Sequence, residues 1–303
     1  MSIPGTRVEL VQTRGLRFEV TMAGGPSDKL ALLLHGFPEC AHSWRYQIPL
    51  LAQLGYRVWA PNLRGYGKSD RPSDVSDYRL DKLEQDVADL IEASGSKSVL
   101  LVGHDWGAVI AWTFAMYHAN SQAAALERLV IMNVPHPLRM QQGLRTLKQL
   151  RKSWYMIFFQ IPGLPEKLLS MNNYEAVGRA FRDSAVNKEL FTDDVLEAYK
   201  KNAAEPGGLT AMLSYYRALP RSIPLAQKRG VPVIDTKTLM IWGEQDIALG
   251  KELTYGTDKL VRDLTVRYIA DASHWVQQDA PVKVNAMLSA FLRDERVPEA
   301  TEL

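Results

Sequence analysis

The run SVLLVGHDWGAVIAWTF, from Ser98 to Phe114, constrains this chain more than any other stretch. Its apolar, β-branched part up to Val102 reads as a buried parallel strand, and Ala108 to Phe114 as the start of a buried helix. Gly103 and Gly107 stand two positions either side of Asp105, where a strand turns into a helix so tightly that only small residues fit. Such an elbow lifts the Asp105 side chain out of the sheet as a nucleophile. The competing reading is that Asp105 merely caps the helix that follows.

A carboxylate at that place selects an electrophile. A serine alkylated at an sp³ carbon becomes an ether that water does not readily cleave, whereas an alkylated aspartate is an ester. Water can attack the ester carbonyl, so the carboxylate is regenerated in a second step. The substrate expected from this chemistry carries an electrophilic alkyl carbon, as in an epoxide or an alkyl halide.

The chain has 303 residues, 46% of them hydrophobic, enough for one substantial core with an insertion. Its 36 basic and 34 acidic residues leave a net charge of +2, which argues against nucleic acid as a partner. The N-terminus lacks a basic head followed by an apolar core, and no run reaches the roughly 18 apolar residues that span a bilayer. These features lead to the expectation of a cytoplasmic protein with no membrane partner. A single cysteine, Cys40, excludes an intrachain disulfide, and the six histidines show no zinc-site spacing, so neither metal nor cofactor is expected.

Short apolar runs alternate with helical stretches from Arg7 to about Asn133. RVELVQ, LRFEVTMA, KLALLLH, RVWAPN, SVLLVG and ERLVIMN read as strands of a mostly parallel sheet covered on both faces. No strand-like run follows between Pro137 and Arg221. Helical stretches punctuated by IPGLP and EPGG point instead to an inserted helical lid. The pattern resumes with TKTLMIWG and LTVRYIA, then a terminal helix from about Val282, and the tail RVPEATEL is expected to fray. The expected division is a core of residues 1–136 and 223–303 with a lid of residues 137–222.

In open α/β sheets chemistry gathers just beyond the carboxyl ends of the strands. After KLALLLH comes HGFPEC, His35 to Cys40, where the Phe37 backbone N–H could form an oxyanion hole with that of Trp106. His35 is expected to tie down this loop. After TLMIWG comes EQD, ending at Asp246, and after LTVRYIA comes DASHW with His274. Asp246 would fix the tautomer of His274, leaving its other nitrogen to deprotonate water. Glu244 and Asp271 are rival acids by position.

An epoxide also needs a proton donor for its oxygen, and a tyrosine, protonated at neutral pH, suits that role. Tyr155 shares a helical face with Phe158 and Phe159. Leu209, Met212, Leu213 and Tyr216 form an inward stripe from which Tyr215 is excluded. By pattern alone both Tyr155 and Tyr216 could simply pack.

In their order, HGFPEC, GHDWG, WY…FFQ…PG, LSYYR, EQD and SHW resemble the epoxide hydrolases of the α/β-hydrolase superfamily, over about Arg7 to Leu292. The resemblance implies the α/β-hydrolase fold with an inserted helical lid and a single-domain, soluble type of enzyme. It also implies a nucleophile at Asp105, an acid at Asp246, a base at His274 and lid tyrosines at Tyr155 and Tyr216. The product would be a vicinal diol formed from a small, largely apolar epoxide and water. Haloalkane dehalogenases share the aspartate, but their loop after the first histidine typically carries a halide-binding Asn where this chain has Phe37. A non-catalytic binding protein on the same fold is the other alternative. Oligomeric state stays open, a homodimer included.

Overall fold

The computed structural model describes residues 3–119 and 125–303. Eight strands form one sheet: β1 (Arg7–Gln12), β2 (Arg17–Ala23), β3 (Lys29–Leu34), β4 (Arg57–Pro61), β5 (Ser98–His104), β6 (Ala125–Met132), β7 (Lys237–Gly243) and β8 (Leu264–Ile269). Their spatial order is β1-β2-β4-β3-β5-β6-β7-β8. Only β2 runs against its neighbours, and every pairing from β4 to β8 is parallel. All eight apolar runs in the sequence therefore become strands.

Strand alternation divides the core in two. Leu30, Leu32, Leu34, Val99 and Leu101 pack on one face, under α2 (Leu80–Ser94) and α3 (Trp106–His118). Ala31, Leu33, Leu100 and Val102 pack on the other, against α1 (Gln47–Gln53) and the C-terminal α10 (Pro281–Leu292). Burial on both sides explains why the central strands read as continuous apolar runs rather than alternating ones.

Between β6 and β7 the chain is helical: α4 (Pro137–Gly143), α5 (Leu147–Lys152), α6 (Trp154–Phe158), α7 (Leu164–Arg182), α8 (Asp193–Ala204) and α9 (Gly208–Arg229). The last of these runs past residue 222, the expected end of the insertion, and contains both Pro220 and Pro224. A helical proline leaves the carbonyl four residues back without its donor. Here the Tyr216 carbonyl accepts from the Gln160 side chain at 2.9 Å, which ties the turn after α6 to α9.

Two expectations fail. The tail does not fray: Val297 is buried, and the Arg267 guanidinium on edge strand β8 holds the Val297 and Pro298 carbonyls. A short helical turn with reciprocal Glu299–Glu302 capping closes the chain. An edge strand with a free guanidinium gives the tail a place to dock, which its composition does not disclose. Nor is Tyr215 left off an inward face. It is fully buried, and its hydroxyl donates to the Arg64 carbonyl at 2.9 Å, so α9 buries two faces rather than one stripe.

Candidate active site

Asp105 sits at the carboxyl end of β5 with φ 48° and ψ −123°, a conformation costly for any residue but glycine. The neighbouring glycines make it attainable. A Cβ on Gly107 would run into the Leu34 and His35 backbone, and one on Gly103 into Gly107 and Ala108. Asp105 precedes α3, yet its side chain makes no capping bond. Its Oδ1 instead accepts the Phe37 N–H at 2.7 Å. The capping reading is therefore excluded by geometry. Trp106 opens α3, so its own N–H has no intrahelical partner and is free for a ligand.

His274 stands across from this carboxylate. Its Nε2 lies 3.5 Å from Asp105 Oδ2, and its Nδ1 bonds Asp246 Oδ2 at 2.7 Å. Asp246 is buried and held at both oxygens. Oδ1 accepts the Ala248 and Leu249 N–H groups at 2.7 and 2.8 Å, and Oδ2 also accepts from Asn133 Nδ2 at 2.9 Å. Glu244 pairs with Lys251, and Asp271 with Lys283, so neither rival acid reaches the histidine.

The electrostatics follow from these contacts. Burial alone would lower the His274 pKa, but the Asp246 charge and the bonds to Asp105 and Asp246 hold it well above the usual histidine value. Burial would raise Asp105, but the His274 hydrogen bond and charge, the nearby His104 and the Phe37 N–H keep it below the usual carboxylate value. Asp246 is likewise low, burial being outweighed by His274 and by its hydrogen bonds. Both carboxylates thus favour a proton on the His274 ring. Burial pushes His35 down to about 4, and its ring bonds the Gly36 carbonyl and the Leu63 N–H, in keeping with a loop-fixing part. Burial pushes the Cys40 thiol up to about 12, which keeps it unreactive.

A cavity of about 330 Å³ opens above Asp105. Its near wall holds Trp106, Tyr155 and Tyr216, and it extends along α3 past Val109 and Met116. The two tyrosine rings lie 6.0 Å apart. The Tyr216 ring also meets Trp106, Phe159 and Phe37 edge-on at 5.0, 5.0 and 5.4 Å. Burial first, then the Asp105 charge, raises the pKa of both phenols, so both stay protonated donors. Of the sequence-expected residues, Asp105, Trp106, Tyr155 and Tyr216 line this cavity, Phe37 and His274 meet the Asp105 carboxylate, and Asp246 stands behind His274.

Sequence reasoning missed the layer beneath. Glu39 is fully buried, its Oε2 bonding the Gly36 N–H and His104 Nδ1, its Oε1 bonding the Gln277 and Gln278 amides. His104 Nε2 in turn donates to the His274 carbonyl at 2.8 Å. Glu39 therefore links the Phe37 loop, His104 just before Asp105, and the segment after His274. Its place three residues after Gly36 in HGFPEC was a signal, as was Asn133 at the carboxyl end of β6. Glu39→Ala leaves four buried donors unpaired and is expected to cost about 3–5 kcal/mol of stability, measured by denaturant unfolding.

Among the described residues there is no cluster of three or more His, Cys, Asp or Glu able to hold a metal, and no helix long and apolar enough to cross a membrane. Residues 31–281 match the family model for the alpha/beta hydrolase fold. The chain is 37% identical to epoxide hydrolase 2 of Caenorhabditis elegans, covering 95% of this chain and 80% of that one. It is 39% identical to epoxide hydrolase 3 of Xenopus tropicalis, covering 93% and 76%. The crystal structure of Bacillus megaterium epoxide hydrolase with an inhibitor superposes with a TM-score of 0.84 at 32% identity, covering 94% of this chain and all of that one. With an aspartate at its elbow, a histidine facing that aspartate and tyrosines on the cavity wall, the chain belongs to the epoxide hydrolases of the α/β-hydrolase family.

Proposed function

We propose that this chain adds water to an apolar epoxide through an aspartyl ester. Asp105 attacks a ring carbon from the floor of the cavity while Tyr155 and Tyr216 bond the ring oxygen. The C–O bond breaks as the new ester bond forms, and a proton supplied by the phenols leaves that oxygen as a hydroxyl. The observation that carries this reading is the position of Asp105, held by Phe37 and facing His274 at 3.5 Å.

The second step follows from charge. Esterification removes the Asp105 negative charge, so His274 loses one of the two carboxylates that hold its proton. Its pKa falls, its proton passes to the phenolate that ring opening left, and the neutral ring can then take a proton from water, with Asp246 keeping it oriented. The resulting hydroxide attacks the ester carbonyl, and the Phe37 and Trp106 N–H groups stabilise the oxyanion. Collapse releases the diol and the Asp105 carboxylate. In this reading residues 137–222 act as the lid that carries both tyrosines, and the apolar cavity wall selects for apolar substituents.

Phe37 is the residue that speaks against dehalogenation, since it offers a halide no side-chain donor. The lid donors are tested separately from the nucleophile. Tyr155→Phe and Tyr216→Phe are each expected to slow ester formation by about 10²–10⁴ in rapid-mixing experiments, and the double change to nearly abolish it. Tyr215→Phe, whose hydroxyl is committed to the Arg64 carbonyl, should leave that step largely intact. The reverse result would move the donor to Tyr215.

A further inference from the structure

The outer surface of the α5–α6 segment is inverted. Leu147, Leu150, Trp154, Ile157 and Ile161 recur at intervals of three and four, the spacing of one helical face. All five are exposed, with Leu147 at 73%, Trp154 at 63% and Ile157 at 67%. The inward positions are held by Gln149, Ser153 and Phe159, all buried. A single exposed leucine needs no explanation, but a periodic stripe containing a tryptophan does. Ile247, 65% exposed on the Asp246 turn, is brought beside this segment where Lys152 Nζ donates to the Asp246 carbonyl at 2.7 Å.

The charge on this segment is mostly of one sign, although Lys148 is already paired with Glu252. From Pro137 to Met171 there are six basic residues, Arg139, Arg145, Lys148, Arg151, Lys152 and Lys167, and one acid, Glu166. Glu166 is engaged by Arg217. Arg145, Arg151 and Lys167 are exposed and form no ion pair among the described residues. We infer that this face docks on an anionic lipid bilayer, its apolar stripe entering the headgroup boundary and its cations meeting lipid phosphates. A second copy of the chain is a poorer fit, because a two-fold contact would set one cationic patch against another. The surface is peripheral, so it differs from the spanning segment whose absence led to the expectation of no membrane partner.

The cavity gives the docking a use. Tyr155 and Met156 line the cavity from the opposite side of the helix that carries Trp154 and Ile157. Exposed Gln141 and half-exposed Leu144, just before α5, also belong to the cavity wall. An apolar epoxide dissolved in the bilayer would reach Asp105 without crossing bulk water, and the more polar diol would leave into it. That delivery role rests on the epoxide reading above, whereas the docking does not and is read without turnover.

The test is pelleting of the full chain with vesicles of phosphatidylglycerol and phosphatidylcholine in equal parts, and with phosphatidylcholine alone. Binding is expected to the anionic vesicles, weaker to the neutral ones, and reversed by high salt. The paired change Trp154→Ser with Ile157→Ser should lower partitioning about tenfold or more. Arg145→Gln with Arg151→Gln should bring anionic vesicles down to the neutral level. Both pairs lie on the surface, so their far-UV spectra and turnover of a water-soluble epoxide should match the parent. Failure to pellet with either vesicle, or pelleting unaffected by both pairs, would overturn the inference. So would a dimer in sedimentation velocity that the Trp154/Ile157 pair dissolves, which would make a second copy the occupant.

Discussion

Asp105→Ala abolishes diol formation, with a loss in kcat of about 10⁴ or more, and leaves the protein folded. The size of the effect comes from the absence of a substitute. Among the described carboxylates near His274, Asp246 is enclosed by Asn133 and two backbone N–H groups and cannot reach a substrate. The alanine keeps the β-carbon that the elbow already accommodates, so the change removes the carboxylate without refitting the turn. A single turnover of the parent in ¹⁸O-water is the companion measurement. If Asp105 is esterified, the first diol carries an oxygen from the unlabelled carboxylate, and the label appears in the protein. A labelled first diol, or an Asp105→Ala protein working near the parent rate, would mean that water attacks the ring directly.

His274→Ala is expected to stop turnover after one alkylation. Removing the imidazole takes away the base proposed to act on the ester while leaving Asp105 held by the Phe37 N–H. A covalent adduct should accumulate, and intact-protein mass spectrometry identifies the chemistry. Epoxide opening retains the leaving oxygen, so the protein gains the entire mass of the epoxide. Halide displacement would add only the alkyl group in place of a proton. Full-mass adducts from an epoxide panel and little labelling by matched haloalkanes are the expected result. Preferential alkylation by the haloalkanes would keep the nucleophile and overturn the substrate, and no adduct from either panel would favour a binding protein.

Much of this was legible in one dimension because the physics behind it is local. Buried parallel strands need continuous apolar runs, and all eight runs became strands. The elbow needs small residues around a residue of forbidden backbone geometry, and Gly103 and Gly107 announce it. Asp246 and His274 follow strands directly, so strand ends sufficed to find them. The tyrosines were harder, since helical periodicity names a face but not what it faces. Periodicity separated Tyr216 from Tyr215 for an incomplete reason, because both are buried. What distinguishes them is that the Tyr215 hydroxyl is already spent on the Arg64 carbonyl, whereas Tyr216 lines the cavity.

By itself, then, the sequence determined the strand order along the chain, the elbow and the carboxylate that the elbow carries, because each depends on residues within a few positions of one another. Tertiary structure decided whatever depends on partners distant in sequence. Glu39 meets His104 and the Gln277–Gln278 pair across 65 and more than 230 positions, and no local rule marks a buried carboxylate as the centre of a network. The tail docks because Arg267 happens to emerge beside it. Helix α9 continues through Pro220 because Gln160, 56 positions away, takes up the carbonyl that the proline leaves free. Local sterics are written into neighbouring residues, but the satisfaction of a buried polar group is a property of the packed whole.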